Sequence, residues 1–149
     1  MQAYASKCAF LSTPSIYFSL KNKDIKENSK NFDIDESLKD KNWIYYDYRH
    51  PEEIPQELHN TFDFILIDPP FITEEVWTLY SKAIDMLKNE NCKILLSTID
   101  ENKDMIKWLT NCDIRPYWPS IPNLVYQYSL YSNYEDEALN SLNPEIVMD

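Results

Sequence analysis

The feature that most constrains the fold of this chain is residues 62–67, "FDFILI", a short run that is apolar almost throughout and is followed by "DPPF". A strand with apolar side chains on both faces is typical of the centre of a parallel sheet, because helices cover both sides of such a sheet. Two consecutive prolines cannot continue a strand, since neither has a backbone N–H to donate. The sequence therefore predicts a buried central strand that ends at Asp68 and is followed by a rigid turn.

Other segments alternate between strand and helix patterns along the chain. The remaining predicted strands are "CAFLS", "KNFDID", "NWIYYD" and "CKILLST", and the predicted helices are "TPSIYFSLK", residues 73–88 and "ENKDMIKWLTN". Thr13 is the predicted N-cap of the first helix, with Pro14 in its first turn. "DIRPYW" and "LVYQYSLYSNY" predict a final strand pair. This alternation predicts an α/β fold with a mostly parallel, doubly wound sheet and a C-terminal antiparallel strand.

The composition excludes two common kinds of nucleotide site. The chain of 149 residues contains no glycine, whereas a Walker loop and a standard GxGxxG loop both require it. The formal net charge is −11; five acids and no bases lie in residues 135–149, which leaves −6 for the rest. Because nucleic-acid binding normally depends on Lys and Arg that neutralise phosphates, this charge favours a basic protein partner. We expect one domain over residues 1–134 and an acidic tail over residues 135–149.

The cysteines, histidines and apolar runs indicate the redox compartment, the metal content and the membrane association to be expected. Cys8, Cys92 and Cys112 are widely spaced, which favours reduced core thiols in a cytoplasmic protein. His50 and His59 have no Cys/His cluster near them in the sequence, so we predict no metal site. No apolar run is long enough to span a bilayer, and the first residues lack a signal-peptide pattern. We therefore expect no membrane partner.

Acidic and hydroxyl side chains follow four of the predicted strands. Ligands of open parallel sheets bind beyond the carboxyl ends of the strands. The sequence therefore predicts a cleft along that edge, formed by residues 12–15, 33–36, 47 and 68–71. At its centre, the Asp68 carboxylate, the carbonyls freed by two prolines and the ring of Phe71 suit a substrate amine. The alternative is an ordinary proline-rich turn.

Several motifs together resemble a known family. "IDPPF" resembles the catalytic motif of class I S-adenosylmethionine-dependent amino-methyltransferases, in which Asp/Asn-Pro-Pro-Tyr/Phe marks transfer to a nitrogen. "FLSTPSIYFSL", "IYYDYRHPEEIP", "FDFILIDPPFITEE", "KILLST" and "PNLVYQYSLYSNY" are similar, in the same order, to the eukaryotic elongation factor 1-alpha lysine methyltransferase family. Some of its members were labelled N6-adenine DNA methylases because of the motif. The resemblance implies a Rossmann-like class I fold, S-adenosylmethionine as cofactor, and elongation factor 1-alpha as protein substrate.

The resemblance also implies cofactor-binding residues. That family replaces the glycine-rich loop by a Ser/Ala-Pro-Ser segment, which the "STPS" segment resembles and which is expected to bind the methionine carboxylate. Asp33 or Asp35 is expected to bind the ribose hydroxyls, and the sequence does not choose between them. Asp47 resembles the third-strand acid beside the adenine. The cofactor loop would thus consist of Ser12, Thr13, Pro14 and Ser15.

The expected substrate residues fall in two places. The amine would be held by the motif itself, namely Asp68, Pro69, Pro70 and Phe71. Tyr117, Trp118 and Asn123 lie near the last predicted hairpin and are expected to contact the substrate, with aromatic core packing as the alternative.

Three functions remain open at this point. The first is a protein-lysine methyltransferase, the second an N6-adenine methyltransferase of nucleic acid, and the third a methyltransferase fold that has lost cofactor binding and serves as an interaction module. Charge and resemblance favour the first. Members of the family carry a helical, aromatic-rich segment before the first strand, whereas this chain starts only a few residues before it. We expect a fragment, a shortened gene model or a member with a changed site.

Overall fold

The computed structural model describes residues 6–69, 71–115 and 128–135. Seven strands and four helices are formed in these ranges, and four short 3-10 turns connect some of them. The strands are β1 (Cys8–Leu11), β2 (Lys30–Asp33), β3 (Trp43–Tyr45), β4 (Phe62–Ile67), β5 (Lys88–Ile99), β6 (Asp113–Ile114) and β7 (Tyr128–Ser132). The helices are α1 (Pro14–Ser19), α2 (Lys23–Asn28), α3 (Glu74–Leu87) and α4 (Lys103–Thr110). The 3-10 turns are Glu36–Leu38, Pro51–Glu53, Gln56–Leu58 and Asp100–Asn102.

The described strands form one sheet in the order β3-β2-β1-β4-β5-β7-β6. Strands β1 to β5 are parallel to one another, while β7 lies antiparallel between β5 and β6. Leu11 at the end of β1 is in register with Phe32 on one side and Ile67 on the other. The carboxyl ends of β1, β2 and β4 therefore meet at one edge, as the sequence predicts. The predicted mostly parallel sheet with an antiparallel strand near the C-terminus is confirmed.

The two faces of β4 belong to two different parts of the core. Ile65 and Ile67 pack in the larger cluster, which includes Trp77 and other residues of α3. Phe64 and Leu66 pack in a smaller cluster with Tyr17, Leu20 and Ile25 from the α1–α2 side. Because alternate side chains of a strand point to opposite faces, burial on both sides requires an apolar residue at almost every position. The packing thus explains the apolar run of β4.

Some local features differ from the sequence-based expectations. Helix α2 lies in a stretch for which no helix is predicted; its N-cap Asn22 accepts a hydrogen bond from the Ile25 N–H at 3.1 Å. Thr13 occupies the N-cap position of α1, but its side chain makes no capping hydrogen bond there. Strand β5 is longer than predicted and begins directly after α3. These differences leave the directions of the strands in the sheet as predicted.

The remaining expectations concern thiols, the membrane and the end of the chain. The three cysteines are buried free thiols, as predicted. Within the described ranges, no helix has both the length and the apolar character needed to cross a membrane. The predicted substrate residues Tyr117, Trp118 and Asn123 lie outside the described residues, as do Pro70 and most of the predicted acidic tail.

Candidate active site

A cavity of about 560 Å³ opens at the edge of the sheet where the first four strands end. Strand ends, the loop after β3, the start of the proline motif and one helix contribute to its wall. The described lining residues are Ser12, Asp33, Ile34, Tyr46, Asp47, Tyr48, Arg49, Asp68, Pro69, Phe71 and Tyr80. The structure therefore brings together predicted residues from all four strand ends.

The two acids after β2 have different surroundings. Asp33 lines the cavity, and one of its carboxylate oxygens, Oδ1, accepts a hydrogen bond from the Asp35 N–H at 2.9 Å. Asp35 is exposed and caps the following 3-10 turn, where it accepts hydrogen bonds from the N–H and the hydroxyl of Ser37. Asp35 is not one of the described residues that line the cavity. Only the first acid is thus placed where it can meet a ligand in this cavity.

Asp47, which follows β3, is held by its neighbour Arg49. The guanidinium donates to both carboxylate oxygens, from Nε to Oδ1 at 2.9 Å and from Nη2 to Oδ2 at 2.7 Å. The Arg49 backbone N–H donates to Oδ1 as well, at 3.0 Å. The hydrogen bonds from the Arg49 side chain lower the pKa of Asp47 to about 2, although burial works against them. Asp47 is therefore an ionised carboxylate in a fixed orientation.

Asp68 follows β4 at the mouth of the cavity. Its backbone N–H points to the Leu11 carbonyl at 3.4 Å, which ties the turn to the end of β1. The side chain is open to the cavity, yet the surrounding protein removes part of its hydration, and this burial raises the pKa of the carboxyl above its ordinary value of 3.8. Pro69 and Phe71 line the same cavity, and Phe71 is 55% exposed. An acid and an exposed aromatic residue thus contribute to one cavity.

The segment that resembles the cofactor loop meets the cavity only through its first residue. Ser12 lines the wall and has a positive φ of 60°. Thr13 is 4% exposed, and its hydroxyl has no hydrogen-bond partner within the described part of the chain. Pro14 and Ser15 form the first turn of α1 and, like Thr13, are not among the described lining residues.

An aromatic wall completes the cavity, and most of it was not predicted as part of the site. The ring of Tyr80 stacks on Tyr48 with centroids 5.7 Å apart, and Tyr48 meets Phe71 edge to face at 6.4 Å. Tyr46 packs against Tyr80 at 5.9 Å. The sequence signal for two of these rings is their position beside Asp47 in "YYDYRH". Tyr80 lies in the apolar stripe of α3, so its pattern in the sequence indicates only a core position.

The charges of the cavity suit a cation. Among the described lining residues, Asp33, Asp47 and Asp68 are acids, and Arg49 is the one base. Since that guanidinium is already engaged with Asp47, negative charge remains in excess. A bound cation would therefore be stabilised here, while a phosphate would be repelled.

A separate cluster of possible metal ligands lies on the surface nearby. The ligand atoms of His50, Glu52 and Glu53 lie within 4.8 Å of one another, and all three residues are exposed. The His50 Nδ1 is 3.0 Å from a carboxylate oxygen of Glu52, so two of the groups are already hydrogen-bonded to each other. These residues form a hydrogen-bonded surface cluster and are not among the described residues that line the cavity.

The sequence and the fold match known methyltransferases. A family model described as probable N6-adenine methyltransferase matches residues 1–136. The chain is 34% identical to a protein-lysine N-methyltransferase of Dictyostelium discoideum, over 89% of this chain and 65% of that protein. It is 29% identical to EEF1A lysine methyltransferase 1 of Mus musculus, over 87% of this chain and 62% of that protein. The resemblance to elongation factor 1-alpha lysine methyltransferases is thus confirmed, and the chain spans just under two thirds of these relatives.

Solved structures support the fold at much lower identity. Aeropyrum pernix fibrillarin, solved with bound S-adenosylmethionine, matches with a TM-score of 0.55 at 11% identity, over 85% of this chain and 65% of that one. A predicted O-methyltransferase from Agrobacterium tumefaciens matches with a TM-score of 0.56 at 10% identity, over 85% of this chain and 72% of that one. At such identities the likeness concerns the fold alone, and it confirms the Rossmann-like class I fold.

Proposed function

Since this chain belongs to the family described as probable N6-adenine methyltransferase, we propose that it is an S-adenosylmethionine-dependent N-methyltransferase that modifies a protein lysine. Elongation factor 1-alpha is the first candidate substrate, because relatives bear that substrate in their names. The observation that carries the proposal is the acidic cavity at the strand ends, which both Asp68 and Phe71 line. The family match over residues 1–136 supports one methyltransferase domain followed by an acidic tail.

The residues of the cavity fit S-adenosylmethionine. Among the described residues, the Asp33 carboxylate accepts its hydrogen bond from the Asp35 N–H on Oδ1, so Oδ2 would be available to ribose hydroxyls. Asp47 would lie beside the adenine, and Ile34 offers an apolar surface to the ring. Ser12 borders the side on which the methionine part would bind. When bound, the cofactor supplies an electrophilic methyl group, and its sulfonium charge suits the excess of carboxylates.

The motif after β4 would bind and orient the target amine. A free lysine has a pKa of about 10.4, so it is mostly charged at pH 7, whereas only the neutral amine has the lone pair needed for attack. Contact with the Phe71 ring would lower that pKa by desolvation, while the Asp68 carboxylate would raise it. We therefore assign Asp68 to binding and orientation of the nitrogen, with the proton released to water as the lysine docks. The rate enhancement would come mainly from alignment of the amine with the methyl group.

An adenine amine is the second candidate substrate, because the family description names it. Such an amine is already neutral, so the same site would need no deprotonation. The acid excess in the cavity and the net charge of −11 both oppose a polyanion and favour a lysine. The buried free thiols favour a reducing compartment, and we place the protein in the cytoplasm as part of this proposal.

The test combines cofactor binding and methyl transfer. Calorimetric titration of the chain with S-adenosylmethionine should show 1:1 binding. With tritiated cofactor, label should then enter elongation factor 1-alpha and not adenine-containing DNA or RNA oligonucleotides. Asp68→Ala should reduce the transfer rate at least ~100-fold and leave the cofactor Kd within about threefold, since a lost charged hydrogen bond and lost alignment act on the amine.

A matched control distinguishes the loss of Asp68 at the site from the loss of one negative charge anywhere on the protein. Asp104→Ala removes an exposed acid from the first turn of α4, outside the cavity wall, and should leave transfer unchanged. If label enters only the oligonucleotides, the substrate is adenine and not a protein lysine. If the wild-type chain binds no cofactor, the proposal that it is an enzyme is contradicted and an interaction module is favoured. Full activity of Asp68→Ala would contradict the assignment of the amine site.

A further inference from the structure

Ser12 adopts an unusual backbone conformation for its residue type. Three described residues other than glycine have positive φ, namely Ser12, Asn60 and Asn111. Asparagine tolerates this left-handed region better than most residues, whereas in serine the Cβ makes it sterically unfavourable. The cost falls on the residue that joins β1 to the segment expected to bind the cofactor. Something in the surroundings must therefore hold Ser12 in place.

Two hydrogen bonds fix this residue. Its backbone N–H donates to the Phe32 carbonyl at 3.0 Å, which continues the pairing of β1 with β2. Its hydroxyl shares a hydrogen bond of 2.7 Å with the hydroxyl of Tyr80. Tyr80 is fully buried on α3, the helix that follows the proline motif. The second hydrogen bond thus ties the end of β1 to a rigid helix 68 residues further along the chain.

The ring of the same tyrosine connects to Phe71 of the proline motif through Tyr48. It stacks almost parallel on Tyr48, at an interplanar angle of 14°, and Tyr48 in turn meets the ring of Phe71. The hydroxyl of Tyr80 therefore contacts the side expected to hold the cofactor, and its ring reaches the side expected to hold the amine through one intermediate ring.

We propose that Tyr80 is a positioning residue, whose hydroxyl holds Ser12 in the left-handed conformation that shapes the cofactor side of the cavity. In a chain without glycine, this hydrogen bond offsets the strain that glycine would avoid. The identity of the ligand rests on the proposed function, whereas the effect on Ser12 does not. The proposed function and the role of Tyr80 can therefore be disproved separately.

Cofactor binding gives the first test. Tyr80→Phe keeps the ring and removes the hydroxyl, so the Kd for S-adenosylmethionine should rise about fivefold, the effect of one net hydrogen bond. The KM for the protein substrate should stay unchanged, because the stacking on Tyr48 remains. Ser12→Ala keeps the strain and loses the hydrogen bond, so it should weaken binding by a similar factor. Ser12→Gly adopts the same φ without help, and in that background Tyr80→Phe should have no effect on the Kd.

A second buried tyrosine provides the matched control. The Tyr131 hydroxyl donates to the Ile99 carbonyl at 2.8 Å, and this residue does not line the cavity among the described residues. Tyr131→Phe loses a comparable hydrogen bond and should leave the Kd unchanged. Wild-type affinity in Tyr80→Phe would overturn the proposal, as would an equal loss of affinity with and without Ser12→Gly.

Amide hydrogen exchange of the free protein gives the second test, independent of any ligand. The Ser12 N–H should exchange at least about fivefold faster in Tyr80→Phe than in the wild type, while the Ile65 N–H in β4 should keep its rate. If the wild-type chain binds no S-adenosylmethionine, the proposed function fails, and this exchange rate alone decides the role of Tyr80. An unchanged Ser12 rate would overturn the inference, and a faster rate with unchanged cofactor affinity would overturn its link to the cofactor.

Discussion

The hydrogen bonds between Arg49 and Asp47 should make the stability of the protein depend on pH in acid solution. The guanidinium binds both oxygens of a carboxylate that is 8% exposed. Its hydrogen bonds lower the pKa of Asp47 from 3.8 to about 2 in the folded protein. Because the folded-state pKa is depressed, this contribution to stability is complete above the unfolded value. It is lost as the pH falls from about 4 towards 2.

The size of the effect follows from the pKa and from the exposure of the arginine. A difference between 3.8 and about 2 corresponds to an upper limit of ~2.4 kcal/mol, at about 1.36 kcal/mol per pKa unit. The Arg49 side chain is 61% exposed, so water and salt screen its charge. We therefore expect Arg49→Gln to lower the free energy of unfolding by about 1 kcal/mol at pH 7. Part of the pKa shift should survive, because the backbone N–H of residue 49 still donates to Asp47.

Urea unfolding followed by tryptophan fluorescence measures this difference at pH 7, 5, 4 and 3. The control is Lys41→Gln, which removes the same charge from an exposed pair with Glu27 at 3.7 Å and should change stability by less than about 0.5 kcal/mol. Both variants shift the net charge of −11 by one, so general charge repulsion is matched. The loss in Arg49→Gln should shrink between pH 4 and 3. A loss that stays constant over the whole range would refute the reasoning.

Three further predictions concern the cofactor, the amine and the core. Asp33→Asn should raise the Kd for S-adenosylmethionine at least about tenfold in calorimetry, because a charged acceptor is lost. Asp35→Asn should leave that Kd nearly unchanged. A larger rise in Asp35→Asn than in Asp33→Asn would assign the ribose contact to Asp35. The proton that the lysine loses on docking makes kcat/KM fall with acid pH in every variant. Because burial raises the pKa of Asp68 above the ordinary value for an aspartate and the carboxylate is the binding form, the wild type should show a further fall below that pKa. This further fall should be absent in Asp68→Asn, and its persistence would assign it to another group. Ile65→Ala should lower the free energy of unfolding by ~3–4 kcal/mol in urea titration, and a loss below ~1 kcal/mol would show that β4 is not at the centre of the core.

The sequence predicts the fold because its patterns are local and strong. Strand β4 is apolar on both faces and ends at a double proline, and α3 has an apolar stripe with Thr73 as its N-cap, which accepts from the Val76 N–H at 3.3 Å. Helix α2 has a weaker pattern, since Ile25 is its one buried residue. Its formation depends on tertiary packing over β1 and β4, which no local signal reports.

The candidate site is predicted less completely, because it depends on contacts between distant segments. The acids at the strand ends follow directly from the topology, so Asp33, Asp47 and Asp68 are predicted. The contact between Ser12 and Tyr80 joins residues 68 positions apart, and the tyrosine lies in an apolar stripe that by itself indicates only a core position. The positive φ of Ser12 has no sequence signal either, since serine rarely adopts it.

The placement of charge separates a lysine substrate from an adenine substrate better than the net charge does. Strands β1 to β5 are parallel, so their amino ends share the edge opposite the cavity. Four lysines precede or begin these strands at that edge, namely Lys7, Lys30, Lys41 and Lys88, but Lys41 pairs with Glu27 at 3.7 Å and Lys88 with Asp85 at 3.2 Å. The three acids of the cavity lie at the carboxyl edge, where Arg49 is the one base among the described lining residues. The cavity would therefore repel a polyanion, whereas a protein lysine would find carboxylates in the cavity that Phe71 lines, where methyl transfer would occur.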